Sequence, residues 1–124
     1  MTNFVISDVH VKWDMKNSEY LKKFLKIDFQ PTDRIFLLGD IFDLMVGSYT
    51  EYETQYEWFF SRIRQITSQG TSVVYIQGNH DFHIEELLIS NGITVKKKPF
   101  VEIINDKKVL LCPSGYTLLY GWFF

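Results

Sequence analysis

The sequence predicts an α/β domain built around a parallel β-sheet. Over the first two thirds of the 124 residues, short apolar segments alternate with amphipathic helical segments in the order β-α-β-α-β-α. Alternation of this kind is typical of parallel strands joined by crossover helices. The last third carries three further short apolar segments, which predict a β-hairpin region. No repeat or low-complexity linker divides the chain, so residues 1–124 are interpreted as a single domain.

The three predicted parallel strands are short and rich in apolar residues. They cover Asn3 to Ile6, Arg34 to Leu38 and Ser72 to Ile76. Gly39 and Gly78 follow the second and third strands, and glycine allows the sharp turn that such a strand end needs. Open α/β sheets bind ligands beyond the carboxyl ends of their strands. The residues that follow each strand are therefore the candidates for a functional site.

Three helices are predicted between and after these strands. The first follows Ser18, a plausible N-cap, and the second runs from Thr50 to Ser68 and stops at Gly70. The third covers about Phe82 to Ser90. The apolar stripe of the second helix recurs at three- and four-residue spacing, which favours core packing over a ligand-binding role. Its members are Tyr52, Tyr56, Phe59, Phe60, Ile63 and Ile66.

The hairpin region is predicted from three strand-length segments. These are Ile93 to Lys97, Phe100 to Ile104 and Lys107 to Cys112, with a tight turn at Asn105-Asp106 between the last two. The short lysine runs at the ends of these segments are expected to face solvent rather than to bind phosphate.

Composition excludes several classes of protein. The formal net charge of −2 gives no reason to expect a nucleic-acid binder. Cys112 is the single cysteine, so neither an internal disulfide nor a thiolate zinc cluster is expected, which fits a reducing compartment. The opening MTNFVISDVH does not resemble a signal peptide, and no run of about 18 apolar residues predicts a membrane span.

Asp8 and His10 follow the first predicted strand and are two residues apart. Side chains at this spacing on an extended chain leave from the same face. A carboxylate and an imidazole placed in this way can chelate one divalent cation. The pair is a weak signal by itself, because many strand ends supply it by chance.

Asp40 follows the second strand, directly after Gly39. Its two carboxylate oxygens could bridge two cations. The structural alternative, which this motif alone favours, is a turn in which Asp40 caps a helix that includes Phe42 and Leu44. The apolar residues after Asp40 are interpreted as core. They are Phe42, Leu44, Met45 and Val46.

Asn79, His80 and Asp81 follow the third strand. Asn79 could offer its amide oxygen to a metal, and His80 could donate a proton or a hydrogen bond. Asp81 could orient His80, although capping of the following helix is the better supported role. The alternative for the whole stretch is an ordinary turn, for which Gly, Asn and Asp are typical residues.

The three motifs together favour a metal site, because three successive βα units end in ligand-type residues at one sheet edge. The sequence resembles the calcineurin-like metallophosphoesterases, which are dinuclear-metal hydrolases of phosphate monoesters, diesters and pyrophosphates. The resemblance rests on the motifs Asp8-x-His10, Gly39-Asp40-x-x-Asp43 and Gly78-Asn79-His80-Asp81, in this order. It implies part of an α/β/β/α sandwich, with the βαβαβα half followed by the hairpin region.

The resemblance also implies roles for five residues. Asp8 and His10 would bind a first cation, Asp40 would bridge, Asn79 would bind a second cation, and His80 would assist the transition state or the leaving group. The cofactors implied are two divalent metal ions. Oxygen and imidazole ligands without thiolates suit Mn²⁺, with Fe or Zn²⁺ as alternatives.

The longer stretches FVISDVHV, FLLGDIFDLMVG and VVYIQGNHDF are most similar to the UDP-2,3-diacylglucosamine pyrophosphatases of lipid A synthesis. This similarity implies a nucleotide-sugar lipid substrate, cleaved to the lipid monophosphate (lipid X) and UMP. It also implies a cytoplasmic protein that contacts the inner face of the cell membrane peripherally. With a lipid substrate, an acyl-binding groove is the alternative to core packing for the apolar residues after Asp40. A phosphodiesterase or nuclease of the same superfamily is the alternative, with the overall charge disfavouring nucleic acid.

The chain departs from the family pattern in its second part. Members of this family are usually about twice as long and carry further metal-binding histidines in His-Gly-Asp and Gly-His-x-His motifs. Here Pro113 follows Cys112, and no histidine follows His83. The sequence therefore predicts the N-terminal portion of a longer enzyme, with a shift of reading frame near Cys112 as the hypothesis. An inactive remnant with incomplete metal ligation is the alternative, and the oligomeric state is not predicted.

Overall fold

The computed structural model describes residues 1–7, 9–42, 49–77 and 85–112. Helices and strands alternate as the sequence predicts. The helices are α1 (Glu19–Leu25), α2 (Tyr49–Gln55), α3 (Glu57–Ser68) and α4 (Glu85–Ser90). The strands are β1 (Asn3–Ile6), β2 (Arg34–Leu37), β3 (Ser72–Ile76), β4 (Thr94–Lys96), β5 (Phe100–Ile104) and β6 (Lys107–Leu111).

The strands form a parallel sheet and a separate hairpin. The four-stranded sheet has the order β1-β2-β3-β4, and every neighbouring pair in it is parallel. Strands β5 and β6 pair antiparallel in a two-stranded sheet. The predicted α/β class is confirmed, but β4 belongs to the parallel sheet rather than to the hairpin region. Its position follows from α4, which carries the chain across to the edge beside β3.

The predicted helix from Thr50 to Ser68 is two helices, which is a correction to the sequence-based expectation. Tyr56 separates α2 from α3 with φ −111° and ψ 31°. Its carbonyl still accepts hydrogen bonds from the N–H groups of Phe59 (2.9 Å) and Phe60 (3.1 Å). The apolar spacing is preserved across the break, so periodicity alone could not reveal it.

The sequence predicted where α1 begins and where α3 ends, but not the way in which α1 is capped. Ser18 is the N-cap residue of α1, as predicted, but it has a helical backbone and its side chain makes no capping hydrogen bond. Its carbonyl accepts the N–H of Lys22 at 2.9 Å. Gly70 follows α3 with φ 113°, a conformation that favours glycine, so its predicted role as the stop is confirmed.

The parallel sheet separates two apolar clusters. Side chains alternate across a strand, so neighbouring residues contribute to opposite faces. Ile35 and Leu37 of β2 belong to the larger cluster with the helices, whereas Phe36 packs with Ile76 and Leu111 on the hairpin side. The predicted core stripe of the second helical segment is confirmed, since all six of its members are buried in the larger cluster. The layers are therefore helix, parallel sheet and hairpin.

Arg34 connects the hairpin to the parallel sheet through hydrogen bonds to both. Its Nε donates to Oδ1 of Asn3 in β1 at 2.7 Å. Its Nη1 pairs with Oε1 of Glu102 at 3.0 Å, and its Nη2 donates to the carbonyl of Ile103 at 2.8 Å. The planar guanidinium makes all three contacts at once, a geometry that lysine could not reproduce.

The hairpin turn and the lysine runs agree with the sequence-based expectations. Asn105 and Asp106 have φ of 51° and 64°, and two successive positive values are what a tight type I′ turn requires. The lysines of both runs are exposed. None of the helices in the described ranges has the length and apolar character of a membrane span.

Asp33 connects the turn before β2 to the start of the chain. It is buried, and its carboxylate accepts the N–H of Gln30 through Oδ2 and the N–H of Thr2 through Oδ1, both at 2.8 Å. These two bonds, with that from Gln30 first, lower the pKa of Asp33 below its ordinary value of 3.8. The unfolded chain therefore takes up a proton at higher pH than the folded protein does.

Substituting Asp33 with Asn is expected to make the stability of the protein less sensitive to acid. The stabilising contribution of Asp33 is fully present above a pH of about 3.8, and it is lost as the pH falls through the lowered pKa. Urea unfolding of both proteins from about pH 6 to about pH 3 measures this. The free-energy difference between wild type and variant should shrink towards low pH, and a difference that is constant with pH would contradict the expectation.

Candidate metal centre

The candidate centre lies where the chain leaves the carboxyl ends of β1 and β2. Beyond these ends the two chain segments continue side by side. The N–H of His10 donates to the carbonyl of Asp40 at 3.0 Å, and that of Val11 donates to the carbonyl of Ile41 at 2.9 Å. Val11 and Phe42 form an isolated parallel bridge. His10 and Asp40, two of the predicted ligands, are therefore directly adjacent.

The backbone at this point is left-handed on both segments. Gly39, Asp40 and His10 have φ of 75°, 51° and 53°. Glycine adopts such angles freely, but Asp40 and His10 do so at a cost, which is commonly tolerated at functional sites. The expectation that His10 continues an extended strand is therefore wrong. Its side chain is directed by this turn and not by the two-residue alternation of a strand.

Asp40 is buried, with only 4% of its surface exposed. A carboxylate in such a position loses hydration, and it is stabilised there by hydrogen bonds, by an opposite charge or by a cation. Imidazole and carboxylate are ligands that Mn²⁺, Fe and Zn²⁺ all accept. His10 and Asp40 therefore fit a divalent cation in chemical type.

The alternative in which Asp40 caps a helix containing Phe42 is wrong. Phe42 pairs with Val11 in the β-bridge, and its ring packs on Tyr56 (4.5 Å between centroids) and Phe59 (5.0 Å). Phe42 is fully buried in the larger cluster, so the core interpretation is confirmed for it and an acyl groove is excluded for it. The other three apolar residues of that run lie outside the described residues.

Three of the five predicted site residues, Asp8, Asn79 and His80, lie outside the described residues. Within residues 1–7, 9–42, 49–77 and 85–112, no three His, Cys, Asp or Glu side chains are grouped closely enough to hold a metal ion. The sheet nevertheless fixes the order of the segments that carry them. Strand β3 is the parallel neighbour of β2, with Tyr75 opposite Leu37, so all three motifs follow adjacent strands.

The loop between His10 and α1 was not singled out by the sequence. Met15 and Asn17 have positive φ of 70° and 65°, and Asn17 donates through Nδ2 to the carbonyl of His10 at 3.3 Å. The loop places Trp13 against Tyr52 and Tyr56. A tryptophan inside an otherwise polar segment was the signal available in the sequence.

A cavity of about 880 Å³ lies between this loop, the start of α1 and the open edge of β1. Its lining includes Val5, Ser7, Met15 and Asn17. Strand β1 is the outermost strand of the described sheet, which leaves this edge accessible. The cavity thus adjoins the segment that carries Asp8 and His10.

Residues 1–123 match the family described as calcineurin-like phosphoesterase. The chain belongs to this family. Membership confirms the resemblance on which the site residues were chosen, and a calcineurin-like phosphoesterase is a hydrolase that normally uses a dinuclear divalent metal centre. The adjacent His10 and Asp40 fit such a centre in chemical type.

Curated relatives of this calcineurin-like phosphoesterase include proteins with two different names. It is 30% identical over 118 residues to UDP-2,3-diacylglucosamine hydrolase of Histophilus somni (strain 2336), covering 93% of this chain and 49% of the relative. It is 31% identical over 123 residues to the protein of the same name from Vibrio parahaemolyticus, covering 95% of this chain and 49% of the relative. It is 24% identical over 141 aligned positions to the symmetrical bis(5'-nucleosyl)-tetraphosphatase of Klebsiella pneumoniae (strain 342), covering 94% of this chain and 44% of the relative. The chain spans about half the length of these relatives.

Proposed function

We propose that the chain provides the first set of ligands of a dinuclear-metal-dependent hydrolase of phosphoester or pyrophosphate bonds. The observation that carries the proposal is the hydrogen bond from the N–H of His10 to the carbonyl of Asp40. It brings together two motifs that are 30 positions apart in the sequence. Both residues have the left-handed backbone that is common at functional sites.

The proposed ligand set assigns each side chain a position on the sheet edge. Asp8 and His10 would hold one divalent cation, Asp40 would contribute its carboxylate to both cations, and Asn79 would hold the second. Mn²⁺ suits these ligands, with Fe or Zn²⁺ as alternatives. When bound, such cations neutralise charge on the phosphoryl group and lower the pKa of water. The burial of Asp40 supports its central place, because its carboxylate is shielded from competing solvent.

His80 is proposed to assist the departure of the leaving group. A protonated imidazole can donate a hydrogen bond or a proton to the oxygen that leaves phosphorus. His80 follows Asn79 directly in the sequence, and the two residues come three and four positions after the last residue of β3. This proximity in sequence supports joint action on one phosphoryl group.

The proposed substrate is UDP-2,3-diacylglucosamine, cleaved at its pyrophosphate to lipid X and UMP. The names of the relatives from Histophilus somni and Vibrio parahaemolyticus support it. A lipid substrate also supports the proposal that this single domain works in the cytoplasm, in peripheral contact with the inner face of the membrane. The metal-binding histidines expected of longer family members are absent after His83 in this sequence.

A second candidate substrate class is the nucleoside polyphosphates. It is favoured by the similarity to symmetrical bis(5'-nucleosyl)-tetraphosphatases over 94% of the chain. Both candidate substrates contain a nucleoside joined to a pyrophosphate linkage. A nuclease of the same superfamily is less favoured, since the net charge of −2 offers little attraction to a polyanion.

A substrate panel with added Mn²⁺ tests the proposed function. The panel contains UDP-2,3-diacylglucosamine, diadenosine tetraphosphate, bis-p-nitrophenyl phosphate and single-stranded DNA. We expect metal-dependent UMP release from the first to be the fastest reaction, and a chelator should abolish it. Faster cleavage of DNA or of the tetraphosphate would overturn the lipid assignment. The absence of turnover on every substrate would favour an inactive remnant.

A further inference from the structure

Trp13 is a large aromatic side chain held in place beside the candidate centre. It lies in the loop that joins β1 to α1, three positions after His10. The residue is 42% exposed, although large aromatic side chains usually bury more of their surface. An indole that remains this accessible next to a candidate active site is available to contact a ligand.

Two buried tyrosines of α2 and the α2–α3 junction fix the orientation of Trp13. Its ring is edge-to-face with Tyr52 (5.5 Å, 81°) and with Tyr56 (5.9 Å, 86°). The side-chain amide of Gln55 donates to the carbonyl of Trp13. Because the indole is already ordered, little conformational entropy remains to be lost when a ligand binds.

A chain of ring contacts connects Trp13 to the Asp40 segment. Tyr56 packs on Trp13 on one side and on Phe42 (4.5 Å) on the other. Phe42 is two residues from Asp40 and pairs with Val11, the neighbour of His10. The exposed indole and the two described ligands of the candidate centre therefore share one edge of the sheet.

We propose that Trp13 binds the nucleobase of the substrate by stacking. The inference rests on the proposed function, since it takes the substrate to contain a nucleoside. A rigid indole offers an apolar face to any base, because every base has a π-face, and such stacking tolerates both uracil and adenine. This tolerance suits the two groups of relatives, whose names contain UDP and bis(5'-nucleosyl).

Binding of UMP measured by calorimetry tests the role of Trp13 separately from catalysis. Ribose 5-phosphate is the matched probe, because it keeps the sugar and phosphate but lacks the base. Trp13→Ala is expected to weaken UMP binding about tenfold or more, with little change for ribose 5-phosphate. Trp13→Phe should retain most of the affinity. Val101→Ala, which removes an exposed apolar side chain from β5 in the hairpin, is the control and should bind UMP as the wild type does.

The inference would be overturned by the absence of UMP binding in the wild type, by unchanged UMP binding in Trp13→Ala, or by an equal loss of affinity for UMP and ribose 5-phosphate. The measurements are made with and without Mn²⁺, so that they do not depend on turnover. Trp13-dependent UMP binding by a protein that hydrolyses none of the panel substrates would support the base site and contradict the proposed function. If the protein hydrolyses the nucleotide substrate and Trp13→Ala leaves the KM unchanged, the proposed function would be supported and the base site contradicted.

Discussion

Substitution of Asp40 with Ala is expected to lower Mn²⁺-dependent hydrolysis of bis-p-nitrophenyl phosphate by at least about a hundredfold. A carboxylate placed between two cations offsets their mutual repulsion and fixes their separation. Asp40 is buried, so its carboxylate is shielded from solvent that could otherwise take its place as a ligand. Initial rates of p-nitrophenol release at saturating Mn²⁺ measure the effect, and full activity in the variant would reject the assignment of Asp40.

Asp106→Ala is the matched control for Asp40→Ala. Asp106 also has a left-handed backbone, with φ 64° against 51° for Asp40, so both substitutions place alanine in the same strained region. Asp106 is exposed in the turn of the β5–β6 hairpin, whose Ile103 carbonyl contacts Arg34 at the amino end of β2, the opposite end of that strand from the candidate centre. Similar losses of stability in the two variants, with loss of activity only in Asp40→Ala, would separate a ligand role from backbone strain. Asp40→Asn, whose residue type tolerates this conformation, gives a second comparison.

Substitution of Phe59 with Ala is expected to lower the free energy of unfolding by about 3–5 kcal/mol. The Phe59 ring is fully buried and packs edge-to-face on Phe42 (5.0 Å, 85°) and on Phe60 (5.2 Å, 80°). Its removal leaves a cavity between α3 and the segment after Asp40. Domains of this size are stable by only about 5–15 kcal/mol, so the loss is a large part of the total. Urea unfolding monitored by circular dichroism measures it.

Tyr20→Ala is the control for the Phe59 experiment. Tyr20 is 63% exposed on α1, and its removal should change the free energy of unfolding by less than about 0.5 kcal/mol. Equal effects of the two substitutions would show that the aromatic cluster behind Asp40 is not the core of the domain. Since Phe42 belongs to this cluster, Phe59→Ala should also loosen the backbone that holds Asp40.

The sequence predicted the helices and strands that can be identified from a short run of neighbouring residues. Strands β1 and β3 have the predicted bounds, because each is a short apolar segment ended by a polar residue or a glycine. The break at Tyr56 could not be predicted, since the stripe of buried residues keeps its spacing across it. The pairing of β4 with β3 could not be predicted either, because the apolar pattern of a short strand does not identify its partner.

The adjacency of two candidate site residues could be predicted from the sequence, but their local backbone geometry could not. Motif order at the strand ends pointed to His10 and Asp40, and the fold places these two residues side by side. Their left-handed backbones were not predicted, because neither residue type requires such angles. Trp13 was missed because its position depends on Tyr52 and Tyr56, which are distant in sequence.

We propose that the adjoining carboxyl ends of β1 and β2 hold divalent cations through His10 and Asp40. Calorimetric titration of the chain with Mn²⁺ tests it most directly, with Asp40→Asn and the exposed Asp106→Asn measured in parallel. We expect saturable binding at two sites in the wild type and in Asp106→Asn, and loss of that binding in Asp40→Asn. Absence of saturable binding in the wild type, or equal binding in all three proteins, would contradict it.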